Sequence, residues 1–409
     1  MTTHTVVLCS RRRALADRLF DSPLLDRVSV VTEEGHSHTF PPGVTVREIG
    51  DIQDPTQVLR AVLELDRRQP VGHVVAAVEF SQATGGYVRS VLGLPGTGFE
   101  TALAFSHKYV MKRRLADAGL PVTRFAQAAG VAEVPGAAER TGWPCVVKPT
   151  FGGGCMNVKV FRSPEEFGAF ASSPAADGLR AARFPLAVER FVEMEGEYHC
   201  DAVVHEGAVV FAAPSRYFAP SLGQLDNVSG SYCLPAAHPD HDPVLKLNSR
   251  VLQALGLRSG VTHLELFKTS EGLLVGEVAC RPAGAGIVDA VRLQYGVDLH
   301  EAFLATSLGR APEVTQRRRP DIVVNANLPI RPGRITRLVT GGELAALPGT
   351  VEVRMLKAVG DTVSTDLTAA SATGRVFYTA GDEAEVLARH RLLSDAFYLE
   401  TSEDGAESG

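Results

Sequence analysis

Two glutamates, Glu265 and Glu277, lie on apolar segments that are joined by the sequence Ser-Glu-Gly at 270–272. A three-residue hairpin loop here, closed by Gly272 in the left-handed conformation, would place the two glutamates directly opposite each other. Carboxylates that face each other at about 5 Å destabilise a hairpin unless a cation lies between them. Mg²⁺ suits such a pair, because it commonly takes one or two carboxylates together with water and phosphate oxygens. The spacing therefore predicts a magnesium site, provided that the loop has three residues, since a two-residue loop would shift the register.

The same alternation places His263 and Arg281 on the face of the two glutamates. Arg281 is suited to neutralise negative charge that develops on a phosphoryl group or an oxyanion. The opposite face is predicted to pack into a core through four apolar residues: Leu264, Leu266, Leu274 and Val278. An antiparallel sheet with one face exposed to water shows the same segregation, so the pattern alone does not distinguish the two cases.

The glycines Gly152, Gly153 and Gly154 form a second candidate site, because their bare backbone allows N–H groups to approach an anion closely. They are not a P-loop, since no lysine and hydroxyl residue follow them. Lys148 ends the apolar strand before the loop, and Lys108 lies in the first turn of a predicted helix that leads into this region. Two lysines that frame a glycine loop can bracket a polyphosphate from two sides. The glycines alone fit a mobile hairpin tip equally well.

An acidic segment at 187–204 carries Glu189 on one predicted strand and Glu197 at the start of the next. A carboxylate at a strand end is an ordinary way to hold ribose hydroxyls, and backbone groups near Phe191 and Val192 could contact the edge of an adenine. A solvent-exposed acidic rim accounts for the same residues. The segment therefore indicates a nucleotide site only in combination with the lysines and the paired glutamates.

The elements that position these residues follow one another along the chain. Up to about residue 100, short apolar runs alternate with helical patterns, which predicts a doubly wound parallel sheet. The pattern then changes to strands and hairpins, which indicates α+β lobes. The predicted division is an α/β domain at 1–105, a small lobe at 106–215, a large lobe at 216–315, an extension at 316–400 that completes the large lobe, and a disordered tail at 401–409.

Composition restricts the class of protein. Apolar residues make up 45% and charged residues 22% of the 409 residues, and the net charge is -6. These are ordinary values for a soluble globular protein, and they argue against a broad nucleic-acid-binding surface. The six cysteines include no CxxC pair, which favours reduced thiols over a zinc site. No run reaches the roughly 20 apolar residues of a membrane span. We expect a cytoplasmic enzyme that acts on small molecules.

Four blocks of the sequence together resemble the ATP-grasp superfamily, and within it the carboxylate-amine ligases such as the L-amino acid ligases. In order along the chain they are HKYVMKRRLADAGLPVTRF at 107–125, GWPCVVKPTFGGGCMNVKV at 142–160, AVERFVEMEGEYHCDAVV at 187–204 and HLELFKTSEGLLVGEVACRPAGAGI at 263–287. The last block is the most specific, because its spaced glutamates and RPxG sequence stand where that family holds its metals. The region at 320–400 also resembles the C-terminal extension of bacterial amino acid ligases. The resemblance implies an ATP-grasp fold, with an N-terminal pre-ATP-grasp domain and a two-lobed nucleotide-binding region.

The resemblance also implies a role for each site residue. Lys108 and Lys148 would hold the ATP phosphates, and the loop 152–154 would close over them. Adenine would meet Glu189 and the backbone of Phe191 and Val192, and ribose would meet Glu197. The metal ligands would be Glu265 and Glu277, binding Mg²⁺ as two ions, with Mn²⁺ as a possible replacement. Catalysis would involve Arg281, which supports an acyl phosphate, and His263.

The substrates would lie near His263, Arg281 and the glycines at 282–287, and the candidate contacts are Tyr217, Gly284 and Ile287. The long segment at 214–235 is predicted to be a specificity loop, because such an unpatterned length inside a lobe is usually functional or mobile. One departure concerns Ala279, which stands where many relatives have an asparagine as a further metal ligand. A methyl group cannot bind a metal, so water or phosphate would complete that position.

The implied reaction is ATP-dependent, ADP-forming ligation of a carboxylate and an amine through an acyl phosphate, with amino acids as the substrates. Three alternatives remain open at this point. The enzyme could load an amino acid onto a carrier protein. It could add a carboxyl group to a substrate through carboxyphosphate. The chain could also bind nucleotide without catalysing a reaction. The paired glutamates oppose the last alternative, because a protein freed from phosphoryl transfer has no reason to keep a repulsive pair. No nucleic-acid or membrane partner is expected, and a homodimer is a further expectation.

Overall fold

The computed structural model of the protein describes residues 3–10, 20, 22–76 and 78–402. Most of the predicted disordered tail, at 403–409, lies outside the described residues. Thr401 and Ser402, which were included in that prediction, instead belong to a strand. No helix within the described residues combines the length and the apolar character that crossing a bilayer requires.

The N-terminal region forms a parallel sheet flanked by helices, as the alternating pattern predicts. Its elements are β1 (His4–Leu8), β2 (Arg27–Glu33), β3 (Thr45–Ile49), α1 (Pro55–Arg68), β4 (Val71–Ala76), α2 (Gln82–Leu92) and α3 (Phe99–Ala104). The strand order is β3-β2-β1-β4, and all three pairings are parallel. Helix α1 begins after Asp54, whose carboxylate caps it by accepting from the backbone N–H of Thr56 and Gln57.

The small lobe consists of a four-stranded antiparallel sheet and its helices. It follows α4 (Lys108–Asp117) and contains β5 (Phe125–Ala128), α5 (Val134–Thr141), β6 (Cys145–Pro149), β7 (Lys159–Phe161), α6 (Pro164–Ala171), α7 (Asp177–Arg180) and β8 (Leu186–Arg190). The strand order is β5-β8-β6-β7. Strands β6 and β7 form a hairpin, and the glycine loop is its tip.

An eight-stranded sheet forms the large lobe. Its elements are β9 (Gly196–His205), β10 (Ala208–Tyr217), β11 (Ser229–Cys233), α8 (His241–Ala254), β12 (Gly260–Thr269), β13 (Gly272–Ala279), α9 (Ile287–Tyr295), α10 (Leu299–Ser307), β14 (Ile322–Asn327), β16 (Thr350–Met355) and β18 (Gly374–Ala380). The strand order is β13-β12-β9-β10-β11-β14-β18-β16. Because β9 and β10 belong to this sheet, the predicted boundary at 215 is wrong, and the small lobe ends with β8.

The region after residue 316 contributes to two sheets. Three of its strands, β14, β16 and β18, lie in the eight-stranded sheet. The others, β15 (Gly333–Leu338), β17 (Thr362–Val363) and β19 (Leu399–Ser402), form a small sheet beside α11 (Gly341–Ala345) and α12 (Glu383–Ala396). The chain after residue 316 is thus continuous with the large lobe through shared strands.

The eight-stranded sheet has a core on each face. One core joins it to α4 and α8 and includes Met111, Leu115, Val251, Leu264 and Val278, all almost completely buried. The other joins it through α10 to the N-terminal sheet. These two cores hold α4 and the N-terminal sheet in fixed positions around the glutamate-bearing strands.

In the β12–β13 hairpin, Glu265 pairs with Glu277 as predicted, but the loop that joins the two strands differs from the predicted loop. Its loop has two residues rather than three, because Thr269 pairs with Gly272. The predicted turn is therefore wrong, and a regular ladder would have separated the glutamates. A bulge next to Gly276 inserts one residue into β13, and this restores the pairing of Glu265 with Glu277.

The bulge also changes which residues face the core. Leu264, Leu266 and Val278 are fully buried, as predicted, but Leu274 is only partly buried. Val275 takes the core position, because β13 is out of the predicted alternation on the turn side of the bulge. A Cβ on Gly276 would lie 2.8 Å from Cζ of Phe267, so a side chain at this position would require the Phe267 ring to move.

Candidate active site

All sixteen residues nominated from the sequence line one cavity of about 930 Å³. They are Lys108, Lys148, Gly152, Gly153, Gly154, Glu189, Phe191, Val192, Glu197, Tyr217, His263, Glu265, Glu277, Arg281, Gly284 and Ile287. The volume is within the usual range for a small-molecule site. The cavity is bounded by the N-terminal region, the small lobe, the large lobe and residues 367–375.

The two predicted lysines contact the glutamates of the site. Lys108 Nζ lies 2.8 Å from Glu277 Oε1. Lys148 Nζ lies 3.2 Å from Glu189 Oε1 and 3.9 Å from Glu277 Oε2. The lysines thus place positive charge beside the carboxylate pair, and they lie at the base of the glycine loop.

A third lysine, Lys112, was missed in the sequence. Its side chain is 2% exposed, and its Nζ lies 3.2 Å from Glu189 Oε2 and donates to the backbone oxygen of Val275 at 3.1 Å. Burial lowers its pKa, and Glu189 opposes that effect. The sequence could have indicated Lys112, because it follows Lys108 by four residues and so lies on the same face of α4.

The carboxylate of Glu189 is buried between two lysines, Lys112 and Lys148. Burial alone would raise its pKa, but these two cations lower it below the ordinary value of a glutamate. Glu189 is therefore an ionised side chain that ties α4 to β6. A contact with adenine through this side chain stays a prediction.

The glycine loop rests on both flanking regions of the chain. A Cβ on Gly153 would lie 3.3 Å from Cγ of Glu79 and 3.9 Å from Nη2 of Arg281. The backbone oxygen of Gly154 accepts a hydrogen bond from the N–H of Ala369 at 3.3 Å. The loop therefore lies over the cavity, between the N-terminal region and the C-terminal region.

Arg281 is held by an N-terminal residue that the sequence did not indicate. Its Nε lies 2.6 Å from Glu79 Oε2, and its Nη1 donates to the backbone oxygen of Pro282 at 2.9 Å. Glu79 is 202 positions away in the chain, so no local pattern could connect the two. The ion pair fixes the guanidinium beside the glycine loop.

His263 belongs to a buried chain of polar groups. Its Nδ1 lies 3.0 Å from Asp201 Oδ1, and its Nε2 lies 3.5 Å from Glu265 Oε1. The other oxygen of Asp201 lies 2.7 Å from His199, which also contacts Ser231 at 2.9 Å. Burial acts to lower the pKa of His263, but Asp201 outweighs it and the pKa rises to about 10. His263 is thus a cation next to one of the two paired glutamates.

The side chains of His199, Asp201 and His263 are of metal-binding types and their ligand atoms lie within 4.8 Å of one another. Both oxygens of Asp201 are, however, engaged by imidazole nitrogens. This arrangement orients His263 through hydrogen bonds. Asp201 and His199 were not identified from the sequence, because on a strand they alternate like any half-buried polar residues.

Glu197 contacts the segment between β10 and β11. It accepts from the N–H of Ser221 at 2.8 Å and from its hydroxyl at 3.0 Å. Burial raises the pKa of the Glu197 carboxyl to about 7, and the negative charge of Glu265 is the next largest cause. The predicted specificity loop is shorter than 214–235, because its ends belong to β10 and β11, and residues 218–228 remain as the loop.

Comparisons with known proteins identify chains that are similar to this one. A family model of the ATP-grasp domain matches residues 113–293. An L-arginine-specific L-amino acid ligase of Bacillus subtilis is 32% identical over 358 residues, which cover 87% of this chain and 86% of that protein. A formate-dependent phosphoribosylglycinamide formyltransferase of Azotobacter vinelandii is 29% identical over 181 residues, which cover 44% and 45% of the two chains.

Solved structures show the same fold. An L-amino acid ligase from Bacillus licheniformis superposes with a TM-score of 0.75 at 18% identity, covering 98% of this chain and 99% of that one. A carboxyaminoimidazole ribonucleotide synthase from Aspergillus clavatus, in complex with ATP, gives a TM-score of 0.72 at 14% identity, with coverages of 97% and 98%. The likeness thus extends over almost the whole chain, beyond the residues that the domain model matches.

Proposed function

The chain belongs to the ATP-grasp family and is an ATP-dependent ligase that forms carbon–nitrogen bonds; on this premise we propose that it joins two amino acids. The observation that carries the proposal is the convergence of Lys108, Lys148, the glutamate pair and Arg281 on one cavity. The amino acid ligase of Bacillus subtilis, which matches over most of both chains, supports this substrate class. The γ-phosphoryl group of ATP would pass to a carboxylate, giving ADP and an acyl phosphate, and an amine would then displace phosphate to form the amide.

Glu265 and Glu277 would hold Mg²⁺. They fit this ion, because their carboxylates are cross-strand neighbours on the cavity wall and offer the hard oxygen ligands that it prefers. When bound, Mg²⁺ supplies positive charge to the phosphate oxygens. A pair of ions, and replacement by Mn²⁺, remain predictions.

Lys108 and Lys148 would bind the phosphates of ATP, because both ammonium groups lie at the base of the glycine loop within the cavity. A carboxylate is already a competent nucleophile towards a phosphoryl group, so the protein mainly positions reactants and neutralises charge. The loop 152–154 would cover the acyl phosphate and exclude water from it. Arg281, fixed by Glu79, would stabilise the negative charge of the acyl phosphate and of the tetrahedral species that follows it.

The nucleoside would lie where the chain passes from the small lobe to the large lobe, after β8. Phe191 and Val192 line the cavity immediately after β8, where the backbone can contact adenine. Glu197 would meet the ribose, and Ser221 fixes the position of its carboxylate. The amino acids would lie towards Tyr217, Gly284 and Ile287 at the other side of the cavity. A homodimer and a cytoplasmic location are further proposals.

Phosphate release tests this function directly. The protein would be incubated with ATP, Mg²⁺ and pairs of amino acids, and products would be identified by mass spectrometry. We expect phosphate and a dipeptide in equal amounts, and a hydroxamate of the donor amino acid when hydroxylamine replaces the amine. Phosphate release that depends on bicarbonate, or ATP binding without turnover over the whole panel, would contradict amino acid ligation.

The bulge in β13 gives a first structural prediction. Gly276→Ala is expected to lower the rate of ADP formation at least about tenfold, because displacement of catalytic groups by a fraction of an ångström is costly. The new methyl group would lie 2.8 Å from Phe267 Cζ and 3.1 Å from the backbone oxygen of Glu265, so we expect the Phe267 ring and the backbone at Glu265 to shift. The measurement is kcat for ADP formation together with the melting temperature.

The control for this variant is Gly168→Ala. Gly168 lies on α6, where a new Cβ has no atom within 4 Å, so wild-type activity is expected. An unchanged kcat in Gly276→Ala would show that the bulge does not set the position of the carboxylates.

A further inference from the structure

A second arginine, Arg375, lines the cavity from strand β18. It is close to the glycine segment before α9, because a Cβ on Gly286 would lie 3.0 Å from Cδ of Arg375. The predicted substrate contacts Gly284 and Ile287 belong to the same segment or follow it directly. Arg375 therefore lies on the substrate side of the cavity.

Among the described residues, both hydrogen-bond acceptors of the Arg375 guanidinium are neutral groups. Its Nε donates to Asn327 Oδ1 at 3.2 Å, and its Nη2 donates to the backbone oxygen of Ala370 at 3.4 Å. Among the residues that the structure describes, no carboxylate oxygen lies within 4.0 Å of its nitrogens. Burial lowers its pKa, and the carboxylate of Asp289, which lies more than 4.0 Å away, opposes that effect.

The strand register makes this arrangement unusual. Arg375 pairs directly with Arg354 of β16. Like charges opposite each other destabilise a sheet. Arg354 is neutralised, because its Nη1 lies 3.0 Å from Asp289 Oδ2 and its Nε contacts Glu352. Arg375 is the member of the pair that lines the cavity, where an anionic group of a substrate can reach its guanidinium in addition to the more distant Asp289.

The chemistry of the reaction identifies this anion. The carboxylate of the donor amino acid is converted to the acyl phosphate. This carboxylate must therefore lie near Arg281 and the phosphate-binding lysines. The carboxylate of the amine substrate does not react and survives in the dipeptide. A guanidinium is well suited to bind it, because it can donate two parallel hydrogen bonds to a carboxylate.

We propose that Arg375 binds the carboxylate of the amino acid that supplies the amine. This inference rests on the proposed function, since it requires that the amine substrate is an amino acid. Arg375 would then select free amino acids over amines that lack a carboxylate. It would also set which end of the amino acid points towards the acyl phosphate.

Arg375→Gln tests the inference with the pair of amino acids that gives the highest phosphate release. The KM for the amine substrate should rise by about 10- to 100-fold, the usual effect of losing a hydrogen-bonded charge. The wild-type enzyme should prefer the amino acid to its amide, and the variant should lose most of this preference. Arg375→Lys should recover part of it, because it retains the charge.

Two further readouts and a control variant separate this role from others. Hydroxylamine has no carboxylate, so hydroxamate formation by Arg375→Gln should fall by less than about threefold, as should the affinity for ATP. Arg337→Gln is the matched control, because Arg337 is 61% exposed and pairs with Glu400 in the same C-terminal region. It should match the wild type in every assay.

Several outcomes would overturn the inference. An equal preference of the wild-type enzyme for the amino acid and its amide would do so. A rise in the KM of the donor amino acid instead of the amine substrate would show that Arg375 acts on the other side of the reaction. A parallel loss of hydroxamate and dipeptide in a folded variant would show that Arg375 supports phosphoryl transfer. A wild-type enzyme without any turnover would contradict the proposed function itself, which makes the two failures distinguishable.

Discussion

Glu277→Gln is expected to lower the rate of ADP formation by about 10²- to 10³-fold, the usual cost of removing one group that stabilises charge in a transition state. The amide keeps the size of the side chain but loses the negative charge that would hold Mg²⁺. It also removes the partner of Lys108 Nζ, which lies 2.8 Å from Glu277 Oε1. The measurement is the rate of ADP formation at saturating amino acids over a range of Mg²⁺ concentrations.

Glu271→Gln is the control for this variant, because Glu271 lies in the exposed two-residue loop of the same hairpin. It should leave both the rate and the Mg²⁺ dependence unchanged. If Glu277→Gln formed ADP at the wild-type rate and at the same Mg²⁺ concentration, the assignment of the metal site would be wrong.

Lys112→Met is expected to lower the free energy of unfolding by about 3 kcal/mol, since breaking a buried ion pair leaves the remaining carboxylate less well compensated. Glu189 would keep only Lys148, and the backbone oxygen of Val275 would lose its donor. Methionine fills most of the volume of the lysine side chain, so the loss reports charge rather than packing. Urea denaturation monitored by circular dichroism measures the change.

The double variant Lys112→Met with Glu189→Gln should regain part of the lost stability, because it restores the balance of buried charges, and Lys148 keeps its 3.9 Å contact with Glu277. Lys246→Met, on the exposed side of α8, should change the free energy of unfolding by less than about 0.5 kcal/mol. A single Lys112 variant as stable as the wild type would mean that Glu189 does not depend on this lysine.

The sequence predicts the pairing of Glu265 with Glu277, but for an incomplete reason. The prediction assumed a three-residue loop, whereas the structure has a two-residue loop and a bulge next to Gly276. A glycine inside a strand is a known sign of a bulge, and Gly276 could have suggested one. Which of the two registers forms depends on packing against Phe267 and the core, and local patterns do not contain that information.

Other differences between the predictions and the structure also depend on contacts between distant parts of the chain. The alternation in β9 and β10 predicts strands correctly but does not tell which sheet they join, so the boundary of the small lobe was placed too late. Glu79 and Arg375 reach the cavity from distant parts of the chain, and no spacing rule connects them with Arg281. Lys112 differs from these, because its distance of four residues from Lys108 on one helix was sufficient to place both on one face.

The contacts of the glycine loop determine which segments of the chain can be exchanged between related ligases. Gly153 rests against Glu79 and Gly154 binds Ala369, and both partners lie outside the residues 113–293 that the domain model matches. A chimaera that borrowed only this middle part would carry a lid without the surfaces on which it rests. Replacing the C-terminal region to alter substrate choice would also replace one of those surfaces, so selectivity and protection of the acyl phosphate from water would be inherited together.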